Sequence, residues 1–180
     1  MGYGTVARVF HWLTVLVVLI MVPVGLIMIQ EGLPRPTQNA LFILHKGLGP
    51  LVLVLVLARL AWRIGNPPPP LPSDLPLVQR RVAGLVQAGL YLALIVMAVS
   101  GYVRVAAGGF PLELLEWLGI PPLVPENEAV SNFAKAVHFN VLIVLIALII
   151  AHVAGAFYHG AIRRDGVVHR MWPPISARKQ

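Results

Sequence analysis

Long apolar runs separated by short polar or proline-rich connections dominate the hydrophobic pattern of this chain. Four of these runs are long enough to cross a bilayer as α-helices, each of which needs about 20 residues. The pattern therefore predicts an all-α, integral membrane four-helix bundle that forms a single domain over residues 1–180. The four predicted helices cover residues 7–29, 41–63, 82–107 and 133–162.

The connections carry local signals for helix ends and for the membrane interface. Thr37 is predicted to cap the second helix, and Ser131 the fourth. The stretch IGNPPPPLPSDLP predicts an extended, semi-rigid linker. The longest connection contains LELLEWLG, which predicts a short amphipathic helix lying in the membrane interface with Trp117 as its anchor. The basic C-terminal tail is expected to lie along the inner surface.

Charge fixes the expected orientation. Hydrophobic residues make up 58% of the chain and charged residues 12%, with a net charge of +7. If both termini are cytoplasmic, ten of the 14 Lys and Arg residues fall on the inner side, as the positive-inside rule requires. The basicity is then a topology signal, and we expect no nucleic-acid partner. The expected location is the bacterial inner membrane, with four passes. The four basic residues left on the outer side are Arg35, Lys46, Arg104 and Lys135.

The absence of cysteine narrows the possible chemistry. Without cysteine there can be no disulfide, iron–sulfur cluster, thiolate zinc site or covalently attached haem. A redox cofactor would have to be held non-covalently, with histidine as the obvious ligand. Ionisable residues within membrane segments indicate functional sites. The chain has six histidines, of which the last is expected to be solvated: His11, His45, His138, His152, His159 and His169.

Histidine spacing sorts four of these residues into two pairs. His138 and His152 bracket the run HFNVLIVLIALIIAH, and fourteen helical residues return to nearly the same face about 21 Å further along the axis. Counting from the outer helix ends places His45 at the depth of His138. The same count places His11 near the depth of His152. The sequence therefore predicts an outer pair, His45 and His138, and an inner pair, His11 and His152.

Two histidines at one depth suit axial ligation of haem b between facing helices. Zinc would need three or four clustered ligands, and no carboxylate is expected at either level. Glycines would let the backbone recede from a flat macrocycle. His159, seven residues beyond His152, is the second candidate for the inner site, and for each histidine an ordinary packing role is the alternative. The glycines near the histidines are Gly25, Gly47, Gly49 and Gly155.

Three of the membrane segments resemble bacterial cytochrome b561 proteins: RVFHWLTVLVVL, LHKGLGPLVLVLVLARLAWR and KAVHFNVLIVLIALIIAHVAGAFYH. The closing RRDGVVHRMWP is also similar to the end of that family. The resemblance covers nearly the whole chain and extends to the di-haem superoxide oxidases of the family. It implies two haem b groups, with the outer and inner histidine pairs as their ligands. The third helix departs from the family pattern at Gln87, where relatives often have histidine.

Basic residues at the outer end suggest a substrate. Lys46, Arg104 and Lys135 gather there, and positive charge over an outer haem would attract a small anion such as superoxide. These three are the candidate catalytic residues, although each could instead pair with a haem propionate or a lipid phosphate. We expect an oxidoreductase that passes electrons from superoxide to ubiquinone in the bilayer.

Arg59 lies fourteen residues after His45 and is predicted to pair with a propionate of the inner haem. Arg63 is a competing partner for that propionate. The alternative role for Arg59 is that of a snorkelling arginine that serves topology.

Two other functions remain open. One is a haem b anchor subunit that passes electrons between a redox partner protein, of hydrogenase or formate dehydrogenase type, and quinone. The other is a transporter or structural membrane protein without haem.

Overall fold

The computed structural model describes residues 2–70 and 75–172. Within these ranges the chain is helical and has no strands. Four of its helices are long and apolar enough to cross a membrane, so the predicted all-α fold is confirmed. The helices are α1 (Thr5–Ile27), α2 (Arg35–Gly65), α3 (Leu77–Ala107), the short α4 (Glu113–Trp117) and α5 (Glu128–Phe157). A π-helical turn (Tyr158–Arg163) continues α5, and a 3₁₀ turn (Val168–Arg170) follows.

Each membrane helix begins before the apolar run that predicts it. The second helix begins six residues before its predicted start, at Arg35, and its N-cap is Pro34. The prediction of Thr37 as its cap is therefore wrong, because Thr37 lies inside the first turn. The first turn of a helix has N–H groups without intrahelical partners. Polar residues are accepted there, and hydropathy alone misses them.

The start of α5 shows the same difference. Its N-cap is Asn127, whose side chain accepts a hydrogen bond from the backbone N–H of Val130 at 3.0 Å. The prediction of Ser131 as the cap is therefore wrong. The Ser131 hydroxyl instead donates to the backbone carbonyl of Arg104 at 2.9 Å. This bond ties the start of α5 to the end of α3.

The helices pack in a specific order. α3 lies along α5, α1 packs against α2, and α2 contacts α3. Small side chains are buried where α3 and α5 contribute to the interior, namely Ala93, Ser100 and Ala134. Small residues let membrane helices approach closely. Large apolar side chains such as Leu19 and Val54 point outward, as expected for helices surrounded by lipid.

The connection between α3 and α5 folds back over one end of the bundle. The predicted LELLEWLG helix is present as α4. Leu112 is buried, whereas Trp117 is 81% exposed. Gly109 and Gly119 both have positive φ values, +67° and +69°, which glycine adopts readily. These two glycines turn the chain on either side of α4.

The described part of the C-terminal tail lies against the start of the chain. The backbone N–H of Tyr3 donates to the carbonyl of Arg170 at 3.1 Å, and the indole N–H of Trp12 donates to the carbonyl of Met171 at 3.0 Å. The predicted contact of the remaining tail, with Arg178 and Lys179, lies outside the described residues. The same is true of positions 71–74 of the proline-rich linker.

Candidate cofactor-binding sites

The outer pair is formed by α2 and α5. The structure brings His45 and His138 together with ring centroids 6.2 Å apart and ring planes at 81°. Both rings line a cavity of about 1150 Å³ at the end of the bundle that carries α4. The pair thus faces a space large enough for a sizeable ligand, since small-molecule sites typically enclose about 300–1,000 Å³.

Two glycines make room for these rings. A Cβ atom on Gly25 of α1 would lie 2.9 Å from Cε1 of His45. A Cβ atom on Gly101 of α3 would lie 3.0 Å from Cε1 of His138. Gly25 thus lies against the histidine of the neighbouring helix, and its role beside a macrocycle stays a prediction. Gly49 lines the outer cavity. A Cβ atom there, or on Gly47 or Gly155, would meet nothing within 4 Å.

The hydrogen bonds of His138 fix its tautomer. Nδ1 of His138 lies 3.0 Å from the backbone carbonyl of Met97 and 3.2 Å from the hydroxyl of Ser100. A carbonyl oxygen only accepts, so Nδ1 carries the hydrogen and donates it. The other ring nitrogen, Nε2, therefore has a lone pair available for a metal, and the bond orients the ring as ligand-supporting groups do in metalloproteins. Sequence reasoning missed Ser100, for which a polar residue inside an apolar helix was the signal.

His45 is held differently from its partner. Its Nδ1 atom is buried and makes no hydrogen bond of regular geometry within the described residues. The backbone of Met21 lies near this ring. A buried polar nitrogen without a partner is costly, so this ring favours an environment in which a ligand completes its bonding.

The inner pair is formed by α1 and α5. His11 and His152 have ring centroids 6.2 Å apart and ring planes at 69°. Nη2 of Arg59 lies 3.1 Å from Nδ1 of His11, and the guanidinium carbon lies 5.4 Å from the centre of the Tyr91 ring. Because a guanidinium only donates, Nδ1 of His11 accepts the hydrogen bond. Arg59 is thus at the inner level, as the spacing predicts, but its pairing with a propionate stays a prediction.

The two pairs fit sites in which two imidazoles would hold one metal. With metal–nitrogen bonds of about 2.0 Å, two imidazole rings on opposite sides of one metal have their centroids about 6 Å apart. Both pairs show 6.2 Å. Within the described residues there is no group of three or more His, Cys, Asp or Glu side chains that could hold a bare metal ion. A haem, which supplies four nitrogens of its own, suits a site with two protein ligands.

The three predicted substrate-capturing residues line the same cavity as the outer pair. They are Lys46, Arg104 and Lys135. Lys46 is not free, however, because its ammonium lies 2.8 Å from Oε1 of Glu113 and 2.7 Å from the carbonyl of Pro111. The expectation that no carboxylate lies at either level is therefore wrong for the outer site. The reason is tertiary, since the connection carrying α4 folds back onto α2.

Glu113 is a carboxylate at the edge of this cavity. Partial burial disfavours its charged form, but the hydrogen bond and the charge of Lys46 outweigh that effect, and the pKa of Glu113 lies below its ordinary value. The carboxylate is therefore ionised at neutral pH. Glu113 and Lys46 form an ion pair at the mouth of the outer site.

The remaining histidines have other surroundings. Nδ1 of His159 lies 2.6 Å from Oδ2 of Asp165, and Nε of Arg163 lies 3.0 Å from the same oxygen. His159 thus contacts the turn that follows α5, while the ring of His152 faces His11. His169 is exposed, as expected. Gln87 of α3 is partly exposed.

Comparison with known proteins identifies the family. Residues 2–174 match the prokaryotic cytochrome b561 family. The chain is 32% identical to cytochrome b561 homolog 2 of Escherichia coli K12, over 94% of this chain and 90% of that protein. It is 26% identical to cytochrome b561 homolog 1 of the same organism, over 91% and 92% of the two chains.

A third relative is the probable superoxide oxidase CybB of Yersinia pestis. It is 26% identical, and the similarity covers 91% of each chain. All three matches extend along nearly the full length, and the family match over residues 2–174 spans both histidine pairs and all four membrane helices. The chain therefore belongs to the prokaryotic cytochrome b561 family and is a multi-pass bacterial membrane haem protein.

Proposed function

We propose that this protein is a di-haem b cytochrome that transfers electrons from superoxide, at the outer face of the bacterial inner membrane, to ubiquinone in the bilayer. The observation that carries the proposal is the pair of histidine couples, each with ring centroids 6.2 Å apart. Both couples take one member from α5. Bound haem would supply reversible one-electron chemistry at its iron. The relative named a probable superoxide oxidase supports the choice of electron donor.

The reaction balances with these two substrates. Each superoxide anion loses one electron and becomes dioxygen, and no proton is required at that step. Ubiquinone takes up two electrons and two protons and becomes ubiquinol. Two superoxide anions are therefore consumed for each ubiquinone. The proposal requires a site that attracts an anion at the outer level and access for quinone from the bilayer. It requires no acid–base pair at the outer level.

The basic residues of the outer cavity would capture the anion. Arg104 and Lys135 line the cavity beside the outer histidines, and no described carboxylate forms an ion pair with either of them. Positive charge that lines a cleft with apolar walls raises the association rate of a small anion. Lys46 adds to this field only in part, because Glu113 is its partner.

At the inner level, Arg59 would exchange one partner for another. Its contact with Nδ1 of His11 leaves the hydrogen on Nε2. Ligation through Nε2 requires the hydrogen to move from Nε2 to Nδ1. Arg59 must then release Nδ1, because a protonated Nδ1 can no longer accept its hydrogen bond. A guanidinium released in an apolar environment needs another anion or acceptor, and a haem carboxylate is the partner that binding would bring. The Tyr91 ring beside Arg59 would remain as its neighbour.

Counting haem tests the cofactor part of the proposal. Pyridine haemochrome analysis of the purified protein should give two haems b per chain. His138→Ala should lose the outer haem and His152→Ala the inner one, each leaving about one. A wild-type value of one haem per chain contradicts the two-site arrangement, and a colourless protein supports a transporter or structural role.

Stopped-flow mixing tests the electron donor. Superoxide should reduce the oxidised protein faster than it disappears spontaneously, at a second-order rate that falls as ionic strength rises. Arg104→Gln should lower that rate and leave both haem spectra unchanged. Haem reduction no faster than spontaneous superoxide decay would remove superoxide as the donor. It would instead favour an anchor subunit that receives electrons from a redox partner protein.

A further inference from the structure

The mouth of the outer cavity contains a charge balance that hydropathy does not reveal. Lys46 is mostly buried, with 13% of its side chain exposed, whereas 37% of the Glu113 side chain is exposed. The carboxylate itself is enclosed, because Oε1 contacts the ammonium of Lys46 and Oε2 is buried without a hydrogen-bond partner within the described residues.

We propose that Glu113 is a specificity-determining residue of the outer site, which limits the capture of anionic electron donors by neutralising Lys46. The inference deepens the proposed function and rests on the outer cavity being the place where electrons enter the protein. It does not require superoxide itself to be the donor.

The charges that line the cavity indicate in which direction each substitution should change the capture of an anionic donor. Three basic residues line it, Lys46, Arg104 and Lys135, and Glu113 is the acidic residue among the described lining residues. With every group ionised, these side chains carry a net charge of +2. Replacing Glu113 by glutamine raises the sum to +3, and replacing Lys46 by glutamine lowers it to +1. Replacing both restores +2.

Contacts that do not involve Glu113 should preserve the local structure when this residue is replaced. Lys46 retains its hydrogen bond to the carbonyl of Pro111. The backbone N–H of Leu112 is bonded to Oε1 of Glu116, which caps the start of α4 without Glu113. Leu112 itself is 7% exposed and anchors the connection. Glu113→Gln therefore changes charge at the mouth while it leaves the position of α4 largely fixed.

The double-mutant cycle separates charge balance from direct contact. For an anionic donor we expect Glu113→Gln to react fastest and Lys46→Gln slowest. Wild type and the double variant should react at the same intermediate rate. A unit charge near the mouth should change each rate about two- to tenfold at low ionic strength, and less at high salt. If Lys46 acts by touching the donor, the double variant should be as slow as Lys46→Gln.

Probes of opposite charge test the inference independently of superoxide. Ferrous EDTA is an anionic one-electron reductant and hexaammineruthenium(II) is a cationic one. In stopped-flow reduction of the haem-loaded protein, Glu113→Gln should accelerate the anionic probe and slow the cationic one. The double variant should return both rates to wild type. Glu126→Gln is the matched control, since Glu126 belongs to the same connection but lines a separate cavity.

Two results would overturn the inference. One is a Glu113→Gln variant whose rates with both probes equal those of Glu126→Gln. The other is a change of both rates in the same direction, which would indicate altered access to the cavity rather than altered charge. If the two probes respond oppositely but superoxide does not reduce the protein, Glu113 keeps its role and the proposed electron donor is wrong.

Discussion

Gly101→Ala tests whether close helix packing positions the outer histidine. The added Cβ atom would lie 3.0 Å from Cε1 and 3.3 Å from Nδ1 of His138. Ordinary contacts begin at about 3.4 Å, so the ring has to retreat by a few tenths of an ångström. Forcing an extra carbon into packed surroundings typically costs about 1–3 kcal/mol. The retreat would also disturb the bond between His138 and the Met97 carbonyl, a contact worth about 1 kcal/mol.

These costs exceed the gain that alanine brings to a helix, which is about 1 kcal/mol. A net loss of about 1–3 kcal/mol at the outer site corresponds to about five- to 150-fold weaker haem retention. We expect Gly101→Ala to transfer its outer haem to apomyoglobin faster than wild type, with the inner haem unaffected. Gly25→Ala should act in the same way through His45, since its Cβ atom would lie 2.9 Å from Cε1 of that ring.

Gly47→Ala is the matched control, because it also lies in a membrane helix and its Cβ atom would meet nothing within 4 Å. It should retain both haems at the wild-type rate. If Gly101→Ala releases its outer haem no faster than Gly47→Ala, the ring of His138 is not held by this close approach. Gly101 would then have no part in positioning the outer histidine.

Three further predictions concern other parts of the molecule. Arg59→Gln should shift the midpoint potential of the inner haem in redox titration, because it removes a charge beside His11; Arg63→Gln is the control, and equal potentials in wild type and both variants would contradict the pairing. Asn127→Ala should lower thermal stability by about 1 kcal/mol, because it removes the N-cap of α5; an unchanged melting temperature would exclude that role. Burial partly desolvates Asp165 and raises its pKa. Its hydrogen bonds to His159 and Val167 and the charge of Arg163 lower the pKa by more, so the pKa in the folded protein lies below the ordinary value. Its stabilising contribution is therefore present above the unfolded pKa and lost as pH falls through the folded one, and Asp165→Asn should reduce this loss in melting curves recorded at decreasing pH.

Much of the architecture could be predicted because the relevant signals are local. Membrane helices follow from unbroken apolar runs, and the short helix after α3 follows from its own composition. Helix ends were less predictable. Hydropathy marks the apolar segment, whereas the cap at Asn127 depends on polar residues ahead of it, and Thr37 shows that a suitable residue type need not occupy the cap position.

The candidate site could likewise be predicted only in part from the sequence. Helical periodicity places His138 and His152 on one face and at two depths, because rise and rotation per residue are constant along a helix. Sequence counting also matched each of them with a histidine on another helix, and the structure brings those rings together. Whether they ligate haem remains a prediction that rests on the family and on the fit of the ring separations.

Only the tertiary structure decided what surrounds each ring and each charge. The Met97 carbonyl that orients His138 belongs to α3, the glycine beside His45 belongs to α1, and Glu113 reaches Lys46 from a connection 67 residues further along the chain. Such contacts depend on how the helices are rotated and offset against one another. Hydropathy and spacing constrain each helix separately and leave those rotations undetermined, whereas side-chain packing between helices fixes them.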